Sequence, residues 1–590
     1  MTQTTFSSEH QVLIANRGEV AVRIIRACRD FGAKSIAVYA DVDAGALHTR
    51  LADQAYALDG NTVQDSYLNI EKLIAIAKHS GATMIHPGYG FLSERAEFAK
   101  AVEQAGLIWI GPNARSIEIL GNKIEARHLA QKVGAPLAKG TAEPVKDVSD
   151  VIHFAQQNGF PIAIKAAFGG GGKGLKVVRQ FDEIEELYDS AVRESQAAFG
   201  RSECFIEQYL DKPRHIEVQI IADNHQNIVV LGTRDCSLQR RHQKLVEEAP
   251  APFISETQRQ ILYKAACDIC KQANYVGAAT VEFLLSTHGT ISFLEVNTRL
   301  QVEHTITEET TGIDIVLEQL RIASGLELSI LSTPEPRGHS FEFRINAEDP
   351  GKGFLPTPGI IHCFRPPSGP GVRLDSGVAD GSTVPGQFDS LIAKLIVTGR
   401  TRERAIQRAK RALDEFKIEG VASIVPFHRE VLKHEDFVSQ FAIHTNWIES
   451  DFDKQIDMQS RPNQLNSLEI IRSYIEIDGK QHQLGISQSM LMNLSGLNAH
   501  IATEPSTSDT SPAALESESH VQAPLTGILT KWVAVDQSEV EKGQLIAVME
   551  AMKMEVQIVA PCSGRLCHLV GAGDQLESDT PIARVDELTC

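Results

Sequence analysis

The chain has 590 residues, 42% hydrophobic and 23% charged, with a formal net charge of −19. That length exceeds one hydrophobic core and predicts roughly three to five domains, and the acidic balance excludes nucleic acid or an anionic membrane as the main partner. No run of about 18 apolar residues predicts a membrane span, the polar Met1–His10 lacks a signal-peptide pattern, and nine scattered cysteines fit a reducing cytoplasm.

Residues Gln11–Val38 read as strand, turn, amphipathic helix and strand. Val12-Leu13-Ile14-Ala15 is an apolar run, Asn16-Arg17-Gly18-Glu19 a turn, Val20–Phe31 has helical periodicity, and Ser35–Tyr39 is the second run. This βαβ unit predicts a parallel sheet with ligands near the strand C-termini. A second unit follows, with a helix near Ile70–Ser80 and a strand at Thr83-Met84-Ile85. His86-Pro87-Gly88-Tyr89-Gly90 is then a glycine-rich turn that either lines a pocket or only redirects the chain.

From Leu120 to Val425 strand and helix signals alternate without a linker. Pro161-Ile162-Ala163-Ile164-Lys165 is a strand, followed by Gly169-Gly170-Gly171-Gly172-Lys173-Gly174 and a second strand at Leu175–Val178. Without Cβ atoms such a loop can bring backbone N–H groups onto phosphate oxygens. It is not a Walker A loop, because Gly174 follows the lysine and no helix follows the loop. A strand, glycine loop and strand predict a flap over a nucleotide.

Cys236 reads as a core residue, and Cys267 and Cys270 lie in a helical segment without a second ligand pair at zinc spacing. Thr280–Leu284 and Ser292–Asn297 are apolar strands around a His288-Gly289 turn, each carrying one acid. Antiparallel pairing puts Glu282 beside Glu295, with Asn297 on the same face. Two such acids repel unless a cation neutralises them, and magnesium shared with nucleotide phosphates suits the pair. Continuing the alternation, Arg299, Gln301 and Glu303 project to the same side, with Val296, Leu300 and Val302 on the buried side. Upstream, Asp235, Arg240, Arg241, His242 and Lys244 form a largely cationic cluster suited to an anionic substrate.

Residues 448–493 carry one strand-like pair around Tyr474–Ile477 and Asp478-Gly479. Leu497–His520, rich in Ser, Thr, Glu, Pro and Ala, predicts a disordered tether. Beyond it Ala523-Pro524-Leu525-Thr526-Gly527 returns as Ala560-Pro561-Cys562-Ser563-Gly564, and Gln544–Val548 is echoed by Thr580–Val585. Two β-rich halves predict a small pseudo-symmetric sandwich. Lys553, within Ala551-Met552-Lys553-Met554, falls where the halves meet. A lysine between methionines at a hairpin tip is the arrangement by which biotin is covalently attached.

Five segments then carry a resemblance: the loop 169–174, Arg214-His215-Ile216-Glu217, Arg240–Glu248, Glu295–His304 and Phe343-Arg344-Ile345-Asn346-Ala347-Glu348-Asp349. They resemble biotin carboxylase of the ATP-grasp fold, and with the Met-Lys-Met module the chain resembles acyl-CoA carboxylase alpha subunits of the actinobacterial two-domain type. The resemblance implies an α/β and α+β fold: a Rossmann-like preATP-grasp domain over 10–120, an ATP-grasp domain over 121–330 and a C-terminal carboxylase domain over 331–450. A connector and acidic linker over 451–520 and an all-β biotinyl/lipoyl-type hammerhead carrier over 521–590 complete it.

The resemblance assigns Lys123, Lys165, Gly171, Gly172, Glu207, His215, His242, Glu282 and Glu295 to ATP. It gives Glu282, Glu295 and Asn297 to Mg²⁺ or Mn²⁺, and Lys244, Arg299, Gln301 and the Val302 backbone to bicarbonate. Glu303 is implied as the base that deprotonates bicarbonate, Arg344 as the group that stabilises the biotin enolate, and Lys553 as the biotinylation site. Asn122, Leu175, Leu525 and His304-Thr305-Ile306 depart from the usual residues without removing an assigned charge.

No second active site is visible, since about seventy residues before the carrier are too few for a carboxyltransferase. A separate carboxyltransferase beta subunit is implied, with acetyl-, propionyl- or longer acyl-CoA as final acceptor, together with a biotin protein ligase, a homo-oligomer within a larger alpha-beta complex, and a cytoplasmic location. Two rival readings stay open on sequence: a different ATP-grasp ligase with a lipoyl-type carrier, and a non-catalytic scaffold.

Overall fold

The computed structural model describes residues 10–141, 143–166, 175–199, 202–459, 470–477, 480–487, 520–524, 527–551, 554–576 and 580–586. The glycine loop with Gly171 and Gly172, the tether up to residue 519, and Lys553 lie outside the described residues. The chain divides into two units, Met1–Asp457 and Met458–Cys590.

The first unit begins with five parallel strands, β1 (Gln11–Ile14), β2 (Lys34–Tyr39), β3 (Gln54–Ala57), β4 (Met84–His86) and β5 (Ile108–Trp109), in the order β3-β2-β1-β4-β5. Val12, Leu13 and Ile14 are fully buried, as a strand covered on both faces requires. The helix Gly18–Phe31 packs Val20, Ile24 and Ile25 into the same cluster as Val12 and Ile14, and ends on Gly32 in the left-handed conformation. Because β1 pairs with β2 on one side and β4 on the other, a crevice opens at the C-terminal ends of β1 and β4. Asn16 ties the two turns there, its Nδ2 donating to the carbonyls of Pro87 at 2.7 Å and Tyr89 at 2.8 Å. Gly88, at φ +64°, is required, since a Cβ would lie 2.8 Å from that Nδ2.

A three-stranded sheet follows, with β6 (Ile162–Ala166) between β7 (Leu175–Val178) and β8 (Cys204–Gln208). An eight-stranded antiparallel sheet then dominates. Its strands β9 (Arg214–Ala222), β10 (Ile228–Arg240), β11 (Gln243–Ala249), β12 (Gly277–Leu285), β13 (Ile291–Asn297) and β14 (His339–Asn346) run in the order β13-β12-β9-β10-β11-β14. Leu391–Gly399 and Val372–Ser376 complete it beyond β14. Strand alternation divides it into two chemistries. Ile216, Val218, Ile220, Val281 and Phe283 pack with Leu262, Ala266 and Ile269 of the helix Glu256–Gln272. The intervening Glu217, Gln219, Thr280 and Glu282 occupy the other face, where they are also buried.

The strand alternation expected to run through Glu303 stops earlier. β13 ends at Asn297, residues 298–302 turn, and Glu303 is the N-cap of the helix His304–Thr311. Leu300 is buried as expected, but Val302 is half-buried, because side chains in a turn do not alternate between two faces.

In the second unit, Ile470–Ile477 pairs with Lys480–Ser487 as an antiparallel hairpin. Among the described residues the remaining eight strands begin at His520, one residue inside the stretch expected to be tether. The first half contributes His520–Gln522, Gly527–Trp532, Glu539–Val540 and Leu545–Ala551, and the second Met554–Val559, Gly564–His568, Gln575–Leu576 and Pro581–Asp586. Each of two four-stranded sheets takes strands from both halves, and exchanging the halves converts one strand order into the other. Gly527 pairs with Leu576, and its counterpart Gly564 with Val540. A Cβ on Gly527 would meet the Glu550 carbonyl oxygen at 2.4 Å, and one on Gly564 the Asp586 oxygen at 2.3 Å. The strands Leu545–Ala551 and Met554–Val559 pair antiparallel, with Ala551 opposite Met554.

Gly527→Ala and Gly564→Ala are each expected to cost about 1–3 kcal/mol. Calorimetry of the full chain should show one transition lowered by roughly 4–8 °C per kcal/mol, with the other unmoved; unchanged scans would contradict the close strand approach.

Candidate functional site

The polar face of the large sheet gathers its charges by register. Glu282 lies opposite Glu295 on β13 and opposite Glu217 on β9, while Glu217 lies opposite Arg234 on β10. The expected pairing of Glu282 with Glu295 is therefore present. Three carboxylates in one cross-strand row repel unless cations intervene.

Lys244 on β11 supplies one. Its Nζ donates to Glu282 Oε1 at 3.0 Å and Glu303 Oε1 at 2.8 Å, and also to Glu217 Oε1. Arg234 donates from Nε to Glu217 Oε2 at 3.0 Å and from Nη1 to Gln219 Oε1 at 2.6 Å. His215 Nε2 lies 3.1 Å from Glu282 Oε2. Arg344 on β14 bridges two acids, donating from Nε to Glu247 Oε1 at 2.6 Å and from Nη2 to Glu303 Oε2 at 3.0 Å. Arg299 donates to Glu94 Oε2 at 2.9 Å, Asn297 Oδ1 at 3.0 Å and Gln301 Oε1 at 3.2 Å, and Asn297 Nδ2 donates to Glu282 Oε1 at 2.7 Å.

These contacts set the protonation states. Burial pushes the Glu303 carboxyl up, but Lys244, Arg344 and Arg234 outweigh it and hold the group well below the usual range. Glu282 is likewise buried yet held low by Lys244 and His215. Glu295 is raised by burial and by Glu282, despite Lys123 at 3.7 Å. Glu247 is pushed up to about 7 by burial and by the neighbouring Glu303 charge, against the pull of Arg344. Lys244 is held well above its ordinary value because Glu217, Glu282 and Glu303 outweigh its burial.

The structure thus joins Lys244, His215, Glu282, Asn297, Arg299, Gln301, Glu303 and Arg344, with Lys123 and Glu295 at one edge. Lys165 and Glu207 form a separate ion pair across β6 and β8, with Arg127 Nη1 3.3 Å from Glu207 Oε2. Burial and the charges of Arg127 and Lys123 bring the Lys165 ammonium down to about 8. His242 sits exposed in the turn between β10 and β11.

The cationic cluster expected over 235–244 is dispersed, because successive strand residues leave on opposite faces. Asp235 accepts from Arg214 Nη2 at 2.8 Å, Arg240 lies over the Phe354 ring at 4.5 Å, and the Arg241 backbone donates to Glu449 at 2.7 Å. Only Lys244 of that group enters the site described above. Conversely, Arg234, Glu247 and Glu94 carry no expected role. Arg234 is masked in sequence by the apolar residues of β10, and Glu94 arrives from a distant loop.

Family models match in chain order: "Biotin carboxylase, N-terminal domain" at 8–117, "Carbamoyl-phosphate synthase L chain, ATP binding domain" at 122–331, "Biotin carboxylase C-terminal domain" at 342–450 and "Biotin-requiring enzyme" at 519–585. The biotin-dependent acyl-coenzyme A carboxylase alpha3 subunit of Mycobacterium leprae is 52% identical, with 98% of each chain covered. The chain belongs to the biotin-dependent acyl-CoA carboxylase alpha subunits. The biotin carboxylase of Haemophilus influenzae is 48% identical over 72% of this alpha subunit and 95% of its own length. Among solved structures, the Campylobacter jejuni biotin carboxylase complex with β,γ-ATP matches at a TM-score of 0.71 and 39% identity, covering 74% of this chain and 98% of that one. The biotin carboxylase domain dimer of Hydrogenobacter thermophilus 2-oxoglutarate carboxylase, described with MgADP and bicarbonate, matches at 0.69 and 39%, covering 75% and 99%. This alpha subunit therefore combines a biotin carboxylase with a biotin carrier domain and uses ATP and biotin. Among the described residues no helix is long and apolar enough to cross a membrane.

Glu247 also yields a pH test. Its folded pKa is raised to about 7, so folding takes up a proton that the unfolded carboxyl does not hold. Its favourable state is complete in acid, and stability is lost as pH rises from the ordinary carboxylate range through about 7. Glu247→Gln removes this titration, so the variant should gain on the order of 2–3 kcal/mol relative to wild type between pH 4.5 and pH 8. Denaturation midpoints at both pH values check it; a difference independent of pH would show that Glu247 does not titrate there.

Proposed function

We propose that this site uses ATP to activate bicarbonate as carboxyphosphate and passes the resulting CO₂ to biotin on Lys553. A separate carboxyltransferase beta subunit then transfers the one-carbon unit to acetyl-, propionyl- or longer acyl-CoA. The observation that carries the reading is Lys244, buried against Glu282 and Glu303 while Arg344 holds the second oxygen of Glu303.

Bicarbonate is a poor electrophile, so the site must gather positive charge for an anion and a base for its proton. Lys244, Arg299, Gln301 and the Val302 backbone receive the anion. Glu303 is anionic throughout the working pH range and accepts the proton. In the free site Lys244 and Arg344 weaken it as a base; an incoming anion that competes for Lys244 loosens that hold and raises its basicity. Arg344 supplies positive charge where negative charge develops on the acceptor. Lys123, Lys165, Glu207, His215, His242, Glu282 and Glu295, with Gly171 and Gly172, make the ATP site.

Glu282 and Glu295, opposed across two strands with Glu295 raised by burial and by its neighbour, fit a divalent cation. Together with Asn297 they would hold Mg²⁺ or Mn²⁺, which when bound neutralises phosphate charge during phosphoryl transfer. The MgADP named for the Hydrogenobacter relative supports magnesium. Five parts, divided at residues 120, 330, 450 and 520, carry out this work, in a cytoplasmic alpha-beta complex whose alpha subunits pair. Biotin protein ligase loads Lys553.

Bicarbonate-dependent ATP cleavage, stimulated by free biotin, should fall by about 10²–10⁴ in kcat in Glu303→Gln. Retention of wild-type turnover would remove the assignment. Lys553→Ala should abolish the streptavidin signal from protein made in its native host while leaving free-biotin-dependent cleavage intact. Co-purification of the partner and assay with a panel of acyl-CoAs identifies the acceptor; copurified material without carboxyltransferase activity would count against the beta-subunit scheme.

A further inference from the structure

A second buried lysine lies behind the turn that joins β13 to Glu303. Lys394, on the strand Leu391–Gly399, has a side chain with no exposure. Its Nζ donates to the Val302 carbonyl at 2.8 Å and lies 3.2 Å from Glu19 Oε1. Sheet register places Lys394 directly opposite Arg344 on one side and Asp375 on the other. Cross-strand partners share a face of the sheet. Arg344 therefore takes the side chain of Glu303 while its neighbour takes the backbone one residue earlier.

The next carbonyl back is held as well. His304 Nδ1 lies 2.7 Å from the Gln301 oxygen, and burial together with the charges of Lys394, Arg23 and Arg373 keeps the ring neutral. In a planar trans peptide the C=O and the following N–H point in opposite directions. With the Gln301 carbonyl turned to His304, the Val302 N–H points away from it; with the Val302 carbonyl turned to Lys394, the Glu303 N–H points away from that ammonium. The two anchors thus fix the orientation of both peptides that flank Val302. Glu19 connects this anchor to the glycine-rich turn, since Tyr89 Oη donates to its carboxylate.

We propose that Lys394 is a positioning residue for bicarbonate: by gripping the Val302 carbonyl it holds the 301–303 turn in its anion-receiving conformation. This rests on the bicarbonate-activating reading above. The competing account is that Lys394 only neutralises the buried acids around it, Glu19 first, then Glu342 and Asp375. The two accounts differ in what the Lys394→Met/Glu19→Gln double variant does. It removes Lys394 together with its nearest acid, while Asp375 keeps Arg373 at 2.8 Å and burial holds the Glu342 carboxyl well above its ordinary range. Simple neutralisation therefore predicts recovery of wild-type kinetics, whereas positioning predicts a persistent defect.

The experiment measures KM for bicarbonate and for ATP in full-length wild type, Glu19→Gln, Lys394→Arg and the double variant, with free biotin as acceptor. The double variant should raise the bicarbonate KM by about tenfold, the worth of one lost hydrogen bond, with the ATP KM within about twofold. Glu19→Gln alone should stay within about twofold for both. Lys394→Arg keeps a charged donor and should recover to within about threefold. A double variant with wild-type bicarbonate KM, or with both KM values raised alike, overturns the proposal. If the double variant does not fold by calorimetry, Lys394→Gln takes its place, and an absent or unselective rise in bicarbonate KM overturns the proposal in the same way. Wild type without bicarbonate-dependent ATP cleavage would instead bring down the functional reading, and this inference with it.

Discussion

The ammonium of Lys244 is the contact on which the site depends. It touches Glu217, Glu282 and Glu303, which come from two strands and a helix N-cap. Arg234, His215 and Arg344 each hold one of these carboxylates from outside, but without Lys244 the three would face one another across a buried space with no cation between them. The consequence is electrostatic tension that a substrate can use. An anion that draws on Lys244 competes with Glu303, which is otherwise held far below its ordinary carboxyl range.

Sheet register makes that contact possible. The row Glu295, Glu282, Glu217 and Arg234 spans four adjacent strands, and the apolar residues between them fill the core on the opposite face. A one-residue slip of β12 would move Glu282 into the hydrophobic cluster and Val281 into the charged row. The same core that stabilises the unit therefore also keeps the acids in place, and the cost of mispairing a strand is paid in both chemistries at once. Arg344 and Lys394 extend the principle to adjacent positions further along the sheet.

Much of this was legible in sequence where the signal is local. The βαβ start, the pairing of Glu282 with Glu295 and the repeat of Gly527 at Gly564 follow from periodicity and turn chemistry, which act over a few residues. Residues 298–303 were misread for the same reason: alternation of polar and apolar residues also describes a turn into a helix, and nothing local separates the two. Arg234 was hidden because a charged residue within an apolar strand looks like an interruption until its partners Glu217 and Gln219 are seen across the sheet. The cluster at 235–244 looked unified because proximity in sequence does not reveal which strand face each side chain takes.

By itself, the amino-acid order determined the element types, the two related β halves and the presence of acids, lysines and arginines in motifs resembling a carboxylase. Tertiary structure alone decided which charges meet: that Lys244 is shared, that Glu94 reaches Arg299, and that Lys394 lies behind Val302. Periodicity is a property of neighbouring residues, which short segments express on their own. Contacts between residues 205 or 92 positions apart depend on how strands order and register, and that is set only when the whole core packs.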